Sequence, residues 1–201
     1  MIENKKPTVF VAAVTPIDKY GYVWLSTCQQ IERELFYAAD LRILEVSPNV
    51  SHTLGTTLIP VEDVDYFFAS DVEPYYAPEI TPTPEQKVIA QNVASLIDDG
   101  DTIQFGIGSL PNALGEALMD KHDLGIHSEM FSDAMARLME AGVVTNQKKN
   151  LHPGLSICAF AWGSKWLYEY MDGNPFMRVL QVSYVNDPFV IAQNDNMASV
   201  N

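Results

Sequence analysis

Residues 106–133 read GIGSLPNALGEALMDKHDLGIHSEMFSD, with two glycines one residue apart, a proline and a glutamate after a short apolar run. The preceding run DTIQF predicts a strand that ends in this glycine turn. PNALGEALMD predicts a helix opened by Pro111, because proline suits the first helical position. LGIHS predicts a second strand, and EMFSDAMARLMEAG predicts a helix that ends at Gly142.

The rest of the chain repeats this alternation of short apolar runs and helical patterns. Runs closed by Pro16 and Pro48 predict strands, and the segment between them predicts a helix capped by Ser26 or Thr27. LSICAFAW and MRVLQVSYV predict strands on either side of the helix SKWLYEYMD, and the tail is compatible with one more. Strands that alternate with helices are typical of parallel sheets. The predicted fold class is α/β, with open, mostly parallel sheets flanked by helices.

A proline-rich stretch at residues 73–83 separates two parts of the chain and predicts an extended linker. Directly after it, Thr83 is a candidate N-cap, Pro84 occupies the first helical position and Gln86 completes a capping box. This strong helix start places a boundary between residues 82 and 83, and it divides the chain into 1–82 and 83–201.

Composition excludes several classes of function. The formal net charge of −14 over 201 residues argues against nucleic-acid binding, and a polyanionic ligand would need help from cations such as Lys148 and Lys149. No apolar run of about 18 residues predicts a membrane span, and the N-terminus lacks the apolar core of a signal peptide, so we expect a cytoplasmic protein. Cys28 and Cys158 have neither metal-ligand spacing nor a disulfide framework, which predicts two reduced thiols.

The glycine turn lies where open parallel sheets bind ligands, at the carboxyl end of a strand. Backbone N–H groups at the following helix would attract negative charge, and Gly106 and Gly108 would let a ligand approach the backbone. Three interpretations stay open: an anion or oxyanion site, a tight turn without a ligand, and a dinucleotide site. The dinucleotide pattern needs a third glycine where Pro111 stands, and Glu129 would be its acidic residue.

Glu129 follows the predicted strand LGIHS and would neighbour the glycine turn if the two strands are adjacent. A carboxylate beside oxyanion donors is suited to nucleophilic attack on an acyl group. The alternative is an acid at a helix N-terminus that interacts with the helix dipole. His127 is interpreted as a structural histidine near the site. No set of residues has metal-ligand spacing, so no metal is predicted.

Several motifs together carry a resemblance to a known family. They are GIGSLPNAL, DLGIHSEMFSDAM, EAGVVTN, LHPG and YVNDPFVIAQNDNMASVN, with TPIDKYGY and SPNVSHTLG upstream. With these motifs the chain resembles the acetyl-CoA hydrolase/transferase family, in the branch that includes 4-hydroxybutyrate and butyrate–acetate CoA-transferases.

The resemblance implies that CoA moves between an acyl-CoA and a short-chain carboxylate such as acetate. Glu129 in HSEMFSD matches the family's nucleophile, which forms an acyl-glutamyl anhydride and then a glutamyl-CoA thioester. The loop Gly106, Ile107, Gly108, Ser109 and Leu110 matches the family's CoA site. Coenzyme A would be a substrate, and no tightly bound cofactor is implied.

Family members are much longer, so the resemblance also implies that the chain is a partial segment. Residues 1–82 would be the C-terminal part of the first CoA-transferase domain, and residues 83–201 the N-terminal part of the second. A homo-oligomer, or association with the missing segments, is then expected. Three alternatives stay open: an acyl-CoA hydrolase of the same family, an inactive fragment that binds a partner chain, and a nicotinamide-dependent enzyme.

Overall fold

The computed structural model describes residues 6–78 and 80–200, which form ten strands, seven helices and a short 3-10 turn at Val61–Asp63. The strands are β1 (Val9–Val14), β2 (Tyr22–Trp24), β3 (Leu41–Val46), β4 (Leu58–Pro60), β5 (Tyr66–Ala69), β6 (Thr102–Phe105), β7 (Gly125–Phe131), β8 (Ser156–Ala161), β9 (Met177–Val179) and β10 (Met197–Val200). The helices are α1 (Glu32–Ala38), α2 (Pro84–Ala94), α3 (Ser109–Ala117), α4 (Asp133–Glu140), α5 (Lys165–Met171), α6 (Val182–Val185) and α7 (Pro188–Ile191).

The larger sheet has five strands in the order β10-β6-β7-β8-β9, and every neighbouring pair is parallel. Its main core packs residues of helices α2 to α5 against the strands, with Ile103, Phe105, Ile126 and Phe131 at most 1% exposed. Strand β7 lies in the middle of the sheet. Glu129 is therefore carried by a strand with a partner on each side.

The first part of the chain builds a smaller parallel sheet in the order β1-β3-β5, together with the antiparallel pair β2-β4. Its core includes Phe10 and Phe36, whose rings meet edge to face at 5.7 Å between centroids. Parallel sheets flanked by helices confirm the predicted α/β fold class.

Backbone hydrogen bonds join the two parts of the chain along two lines. The N–H of Gln29 donates to the carbonyl of Ala159 at 2.7 Å, so the segment before α1 pairs with β8. Gly55 forms a bridge with Val179 on the outer edge of β9. An added Cβ at Gly55 would lie 2.1 Å from the Val179 carbonyl oxygen, and φ at Gly55 is +137°. Only glycine allows the two backbones to approach this closely.

Several helix boundaries differ from those predicted. The capping box is confirmed: the N–H of Gln86 donates to Thr83 Oγ1, and the N–H of Thr83 donates to Gln86 Oε1. The prediction of a cap at Ser26 or Thr27 is wrong, because α1 begins at Glu32 and the segment at Thr27 pairs with β8.

Two further boundaries are corrected nearer the glycine turn and the tail. Helix α3 begins at Ser109 rather than at Pro111, with Gly108 as its N-cap. The predicted strand MRVLQVSYV is wrong beyond Val179, because Val182–Val185 forms helix α6. Strand β10 confirms the further strand in the tail.

No helix in the described part of the chain is long and apolar enough to cross a bilayer. The boundary predicted between residues 82 and 83 falls between β5 and α2. The assignment of the two parts to successive CoA-transferase domains stays a prediction.

Candidate functional site

Two neighbouring strands bring the glycine turn and Glu129 to one region of the sheet. Strands β6 and β7 pair in parallel, with Ile103 opposite Ile126. Gly106 comes directly after β6, three residues beyond Ile103, and Glu129 lies in β7, three residues beyond Ile126. The predicted adjacency of the two strands is confirmed, and their paired register ends at Ile103 and Ile126.

The glycine turn leaves open space above its backbone. An added Cβ at Gly106 or at Gly108 would meet nothing within 4 Å. Gly108 has φ +114° and ψ −173°, a conformation that side-chain-bearing residues rarely adopt. It precedes α3 without a side-chain cap, so the first N–H groups of this nine-residue helix are available to a ligand.

An apolar cavity of about 260 Å³ opens beside the same turn. Gly106, Ile107 and Leu110 line it, together with residues of α2, α3 and β10. Ser109, the remaining small residue of the predicted CoA loop, is the first residue of α3. Glu129 does not line this cavity and instead contacts Asn186 at the end of α6, so the cavity and the carboxylate are separate features.

Glu129 lies inside β7 and not after it, which corrects the predicted strand end. Strand β7 continues to Phe131, and α4 begins only at Asp133. The pairs between β7 and β8 are His127–Ile157, Ser128–Cys158, Met130–Phe160 and Phe131–Ala161. Glu129 has no paired residue in this ladder as described. The interpretation of Glu129 as a helix N-terminal acid is therefore wrong, because a strand holds it.

The Glu129 carboxylate is half-buried and has one side-chain partner in the described chain. Asn186 Nδ2 donates to Glu129 Oε2 at 2.6 Å. Among the described residues, no lysine, arginine or histidine forms an ion pair with this carboxylate. A carboxylate that is held by a neutral amide keeps lone pairs for attack on an electrophile.

His127 is fully buried two residues before Glu129. Its Nε2 lies 2.9 Å from the Val185 carbonyl oxygen. Because a carbonyl only accepts, Nε2 carries the proton and the ring donates. Burial lowers the pKa of His127, so the ring is held neutral. The structure thus places His127 as the anchor of a neighbouring helix end, in agreement with its interpretation as a structural histidine.

Lys149 is buried close to this region, and among the described residues no carboxylate pairs with it. Its Nζ donates to the carbonyls of Ile126 and Leu155, each at 2.7 Å. Loss of hydration lowers its pKa to about 7. The suggestion that Lys149 assists a polyanionic ligand is wrong, because the side chain is 4% exposed and faces backbone carbonyls. Lys148 beside it is exposed.

Asn186 is the functional candidate that sequence reasoning missed. It lies in the quoted motif YVNDPFVIAQNDNMASVN, but it is 57 residues from Glu129 and no spacing rule connects them. The sequence also predicts a strand just before Asn186, whereas the structure places Asn186 at the end of α6. No cluster of three or more potential metal ligands occurs in the described residues.

The chain is similar in sequence and structure to known proteins. Residues 163–201 match the acetyl-CoA hydrolase/transferase C-terminal domain. The chain is 40% identical over 208 residues to the 4-hydroxybutyrate coenzyme A transferase of Clostridium kluyveri, covering 100% of this chain and 47% of that protein. RipA from Yersinia pestis superposes with a TM-score of 0.97 at 35% identity, covering 100% of this chain and 47% of that one.

The chain belongs to the acetyl-CoA hydrolase/transferase family. A 4-hydroxybutyrate CoA-transferase from Porphyromonas gingivalis has the same fold, with a TM-score of 0.95 at 33% identity. The match covers 99% of this chain and 51% of that protein. The chain thus spans about half the length of the relatives that it matches. The resemblance of the sequence to this CoA-transferase family is confirmed.

Proposed function

We propose that the protein transfers CoA between an acyl-CoA and a short-chain carboxylate such as acetate, with Glu129 as the nucleophile. The observation that carries this proposal is the half-buried Glu129 carboxylate, held by the Asn186 amide beside the open glycine turn. Acyl-CoA and carboxylate are the substrates, and CoA is not a resident cofactor. Membership of a family with CoA-transferases supports the choice of reaction.

The first half of the reaction exchanges one acyl bond for another. A Glu129 carboxylate oxygen attacks the thioester carbonyl carbon, the C–S bond breaks, and CoA leaves as the thiolate. The thiolate then attacks the glutamyl carbonyl carbon of the anhydride. The original acid leaves as its carboxylate, and Glu129 is left as a thioester with CoA.

The second half reverses these steps with another acid. Its carboxylate attacks the glutamyl thioester and releases the CoA thiolate, and the thiolate then attacks the acyl carbonyl of the new anhydride. The new acyl-CoA leaves, and the Glu129 carboxylate is restored. No net charge or proton is gained across the cycle.

Asn186 supplies a donor where negative charge develops. Each attack on the glutamyl carbonyl carbon of Glu129 makes a tetrahedral oxyanion on an oxygen of that side chain. An amide that donates to Oε2 at 2.6 Å in the resting state lies close to this oxyanion. Preorganised donors of this kind contribute about 100- to 1000-fold to the rate of acyl transfer.

The glycine turn is suited to the CoA part of the substrate. Uncapped N–H groups at the start of α3 attract negative charge, and Gly106 and Gly108 leave room above the backbone. The apolar cavity lined by Ile107 and Leu110 offers a surface for a thioester's apolar portion. In this proposal the start of α3 binds negatively charged groups of CoA, and the thioester carbonyl lies at Glu129.

The test is capture of the covalent intermediate. After incubation with acetyl-CoA, intact mass should rise by the CoA moiety on wild-type protein, and borohydride should reduce the thioester and mark Glu129 in a peptide map. Glu129→Ala should give no adduct, whereas Glu140→Ala, which removes an exposed carboxylate on the next helix, should react like the wild type. An adduct on Glu129→Ala would refute the assignment.

Product analysis separates transfer from hydrolysis. With labelled acetate and a second acyl-CoA, transfer yields labelled acetyl-CoA, whereas the hydrolase alternative yields only free CoA and acid. Release of CoA without labelled acetyl-CoA would replace the proposed transferase with a hydrolase that uses the same nucleophile.

A further inference from the structure

We propose that His127 is a positioning residue, which fixes the Asn186 amide against Glu129 by holding the end of α6. This proposal rests on the proposed function of Glu129. It gives a role to a buried histidine that lies next to the reacting groups and touches neither of them.

Helix α6 cannot set its own position. It has four residues, and so short a helix has little intrinsic stability in water. Asn186 is its C-cap residue and directly follows Val185. The direction of the Asn186 side chain therefore depends on what holds the backbone at Val185.

His127 holds that backbone point. Its ring Nε2 donates to the Val185 carbonyl at 2.9 Å, and the two residues are 0% and 1% exposed. A buried hydrogen bond without competing water has a defined geometry, and loss of the donor leaves a buried carbonyl unpaired. The anchor is thus specific to a side chain with a donor at this position.

The contacts close a ring through one strand. Strand β7 carries both His127 and Glu129, two residues apart. His127 binds Val185, Val185 is bonded to Asn186, and Asn186 donates to Glu129. The strand that presents the nucleophile therefore also sets the place of its amide donor, so the two move together.

Two further contacts hold α6 from other sides. His152 Nε2 and the Tyr184 hydroxyl lie 2.7 Å apart, and the N–H of Val182 donates to the Gln29 carbonyl at 2.9 Å. These contacts keep α6 near the sheet when His127 is changed. Loss of His127 should therefore tilt Asn186 rather than release the helix.

The neighbouring charge supports a neutral, donating ring. The His127 ring Nδ1 is buried without a partner in the described structure. Protonation at Nδ1 would bury a second cation near Lys149, and burial together with Lys149 lowers the pKa of His127. A fixed neutral tautomer is what a permanent anchor requires.

The experiment is a double-mutant cycle with a rescue variant. His127→Leu removes the donor at similar volume, and it should slow formation of the glutamyl-CoA adduct by about ten- to a hundred-fold, the range expected from a small misplacement. The KM for acyl-CoA should hardly change, because the glycine turn is untouched. His127→Gln, whose amide can replace the Nε2 donor, should recover most of the rate. His122→Leu, which removes an exposed histidine, should behave as the wild type.

The cycle with Asn186→Ala decides between positioning and a general structural effect. If His127 acts through Asn186, the double variant His127→Leu/Asn186→Ala should be no slower than Asn186→Ala alone. Multiplied losses in the double variant would overturn the proposal, and so would failure of His127→Gln to rescue while its thermal unfolding matches the wild type.

Nuclear magnetic resonance tests the anchor without any activity. In the wild type, the imidazole proton should reside on Nε2 at neutral pH, and the Asn186 side-chain amide signal should shift when Glu129 is replaced by alanine. His127→Gln should keep that shift. A proton on Nδ1 would refute the positioning role. So would an Asn186 side-chain amide signal that does not change when Glu129 is replaced in the otherwise wild-type protein. Absence of a covalent adduct in the wild type, with these signals intact, would instead refute the proposed function.

Discussion

Replacing Gly55 with alanine is expected to pull apart the backbone contact between the two parts of the chain. The new Cβ would lie 2.1 Å from the Val179 carbonyl oxygen and 2.9 Å from its nitrogen, so the backbones must separate. Separation breaks the bonds from Thr56 N–H to the Val179 carbonyl and from Val179 N–H to the Leu54 carbonyl. The substitution tests whether this contact stabilises the whole fold.

The expected loss follows from two contributions. Each backbone hydrogen bond contributes about 1 kcal/mol, and a side chain at φ +137° adds strain of about 1 to 3 kcal/mol. Together they lower the free energy of unfolding by about 3 to 5 kcal/mol, a large part of the roughly 5 to 15 kcal/mol typical of domains. With a urea m-value of about 2 kcal/mol per molar, the midpoint should fall by about 2 M.

Urea unfolding followed by circular dichroism measures this shift, with Gly173→Ala as the matched control. Gly173 also has a positive φ, +64°, but an added Cβ there meets nothing within 4 Å. The control should lose about 1 kcal/mol from backbone strain alone. If Gly55→Ala lowers the midpoint no more than Gly173→Ala does, the close approach at Val179 does not hold the two parts together.

Three further predictions concern the site. Asn186→Ala should slow adduct formation on Glu129 by about 100- to 1000-fold, the loss typical of one oxyanion donor. Asn112→Ala, which removes a half-buried amide that donates to the Ile80 carbonyl, is the control, and an unchanged rate in Asn186→Ala would refute the donor role. Burial lowers the pKa of Lys149 from its ordinary value of 10.5 to about 7. Between these two values the unfolded chain binds more protons than the folded chain, so the free energy of unfolding should rise with pH by up to about 1.4 kcal/mol per unit. Lys149→Met should lack that slope in urea unfolding at several pH values, and parallel slopes in the two proteins would refute the lowered pKa of Lys149. Gly108→Ala should weaken acyl-CoA binding in calorimetry while Gly142→Ala, also at positive φ in open space, should not; equal affinity in both would exclude the turn from the CoA site.

Local chemistry makes part of the fold predictable. The capping box at Thr83 and Gln86 depends on residues three apart, and it appears in the structure as expected. The alternation of apolar runs with helical patterns likewise predicts the parallel sheets, because each pattern reports the environment of its own segment. The adjacency of β6 and β7 has another basis, because strands that follow one another in sequence are often neighbours in a sheet.

Longer-range contacts determine what local patterns do not show. Helix α6 is held by His127, His152 and Gln29, which are far from it along the chain. These contacts leave no local signal in the sequence, so the apolar residues of α6 resemble a continuation of β9. The prediction that Glu129 follows its strand fails because HSE looks like the end of an apolar run, although Met130 and Phe131 continue the run as far as the cap Ser132.

The seat of Glu129 in the middle of five strands has a consequence for how substrate reaches it. The backbone of a central strand has no hinge of its own, so under the proposed mechanism the thioester must be delivered to the place that β7 sets for Glu129. Under the same mechanism, any motion that admits or releases CoA belongs to the periphery, at the turn of residues 106–110, and not to α6, which His127 holds to β7. Changes in that turn should alter the binding of acyl-CoA, while the backbone at Glu129 keeps its position.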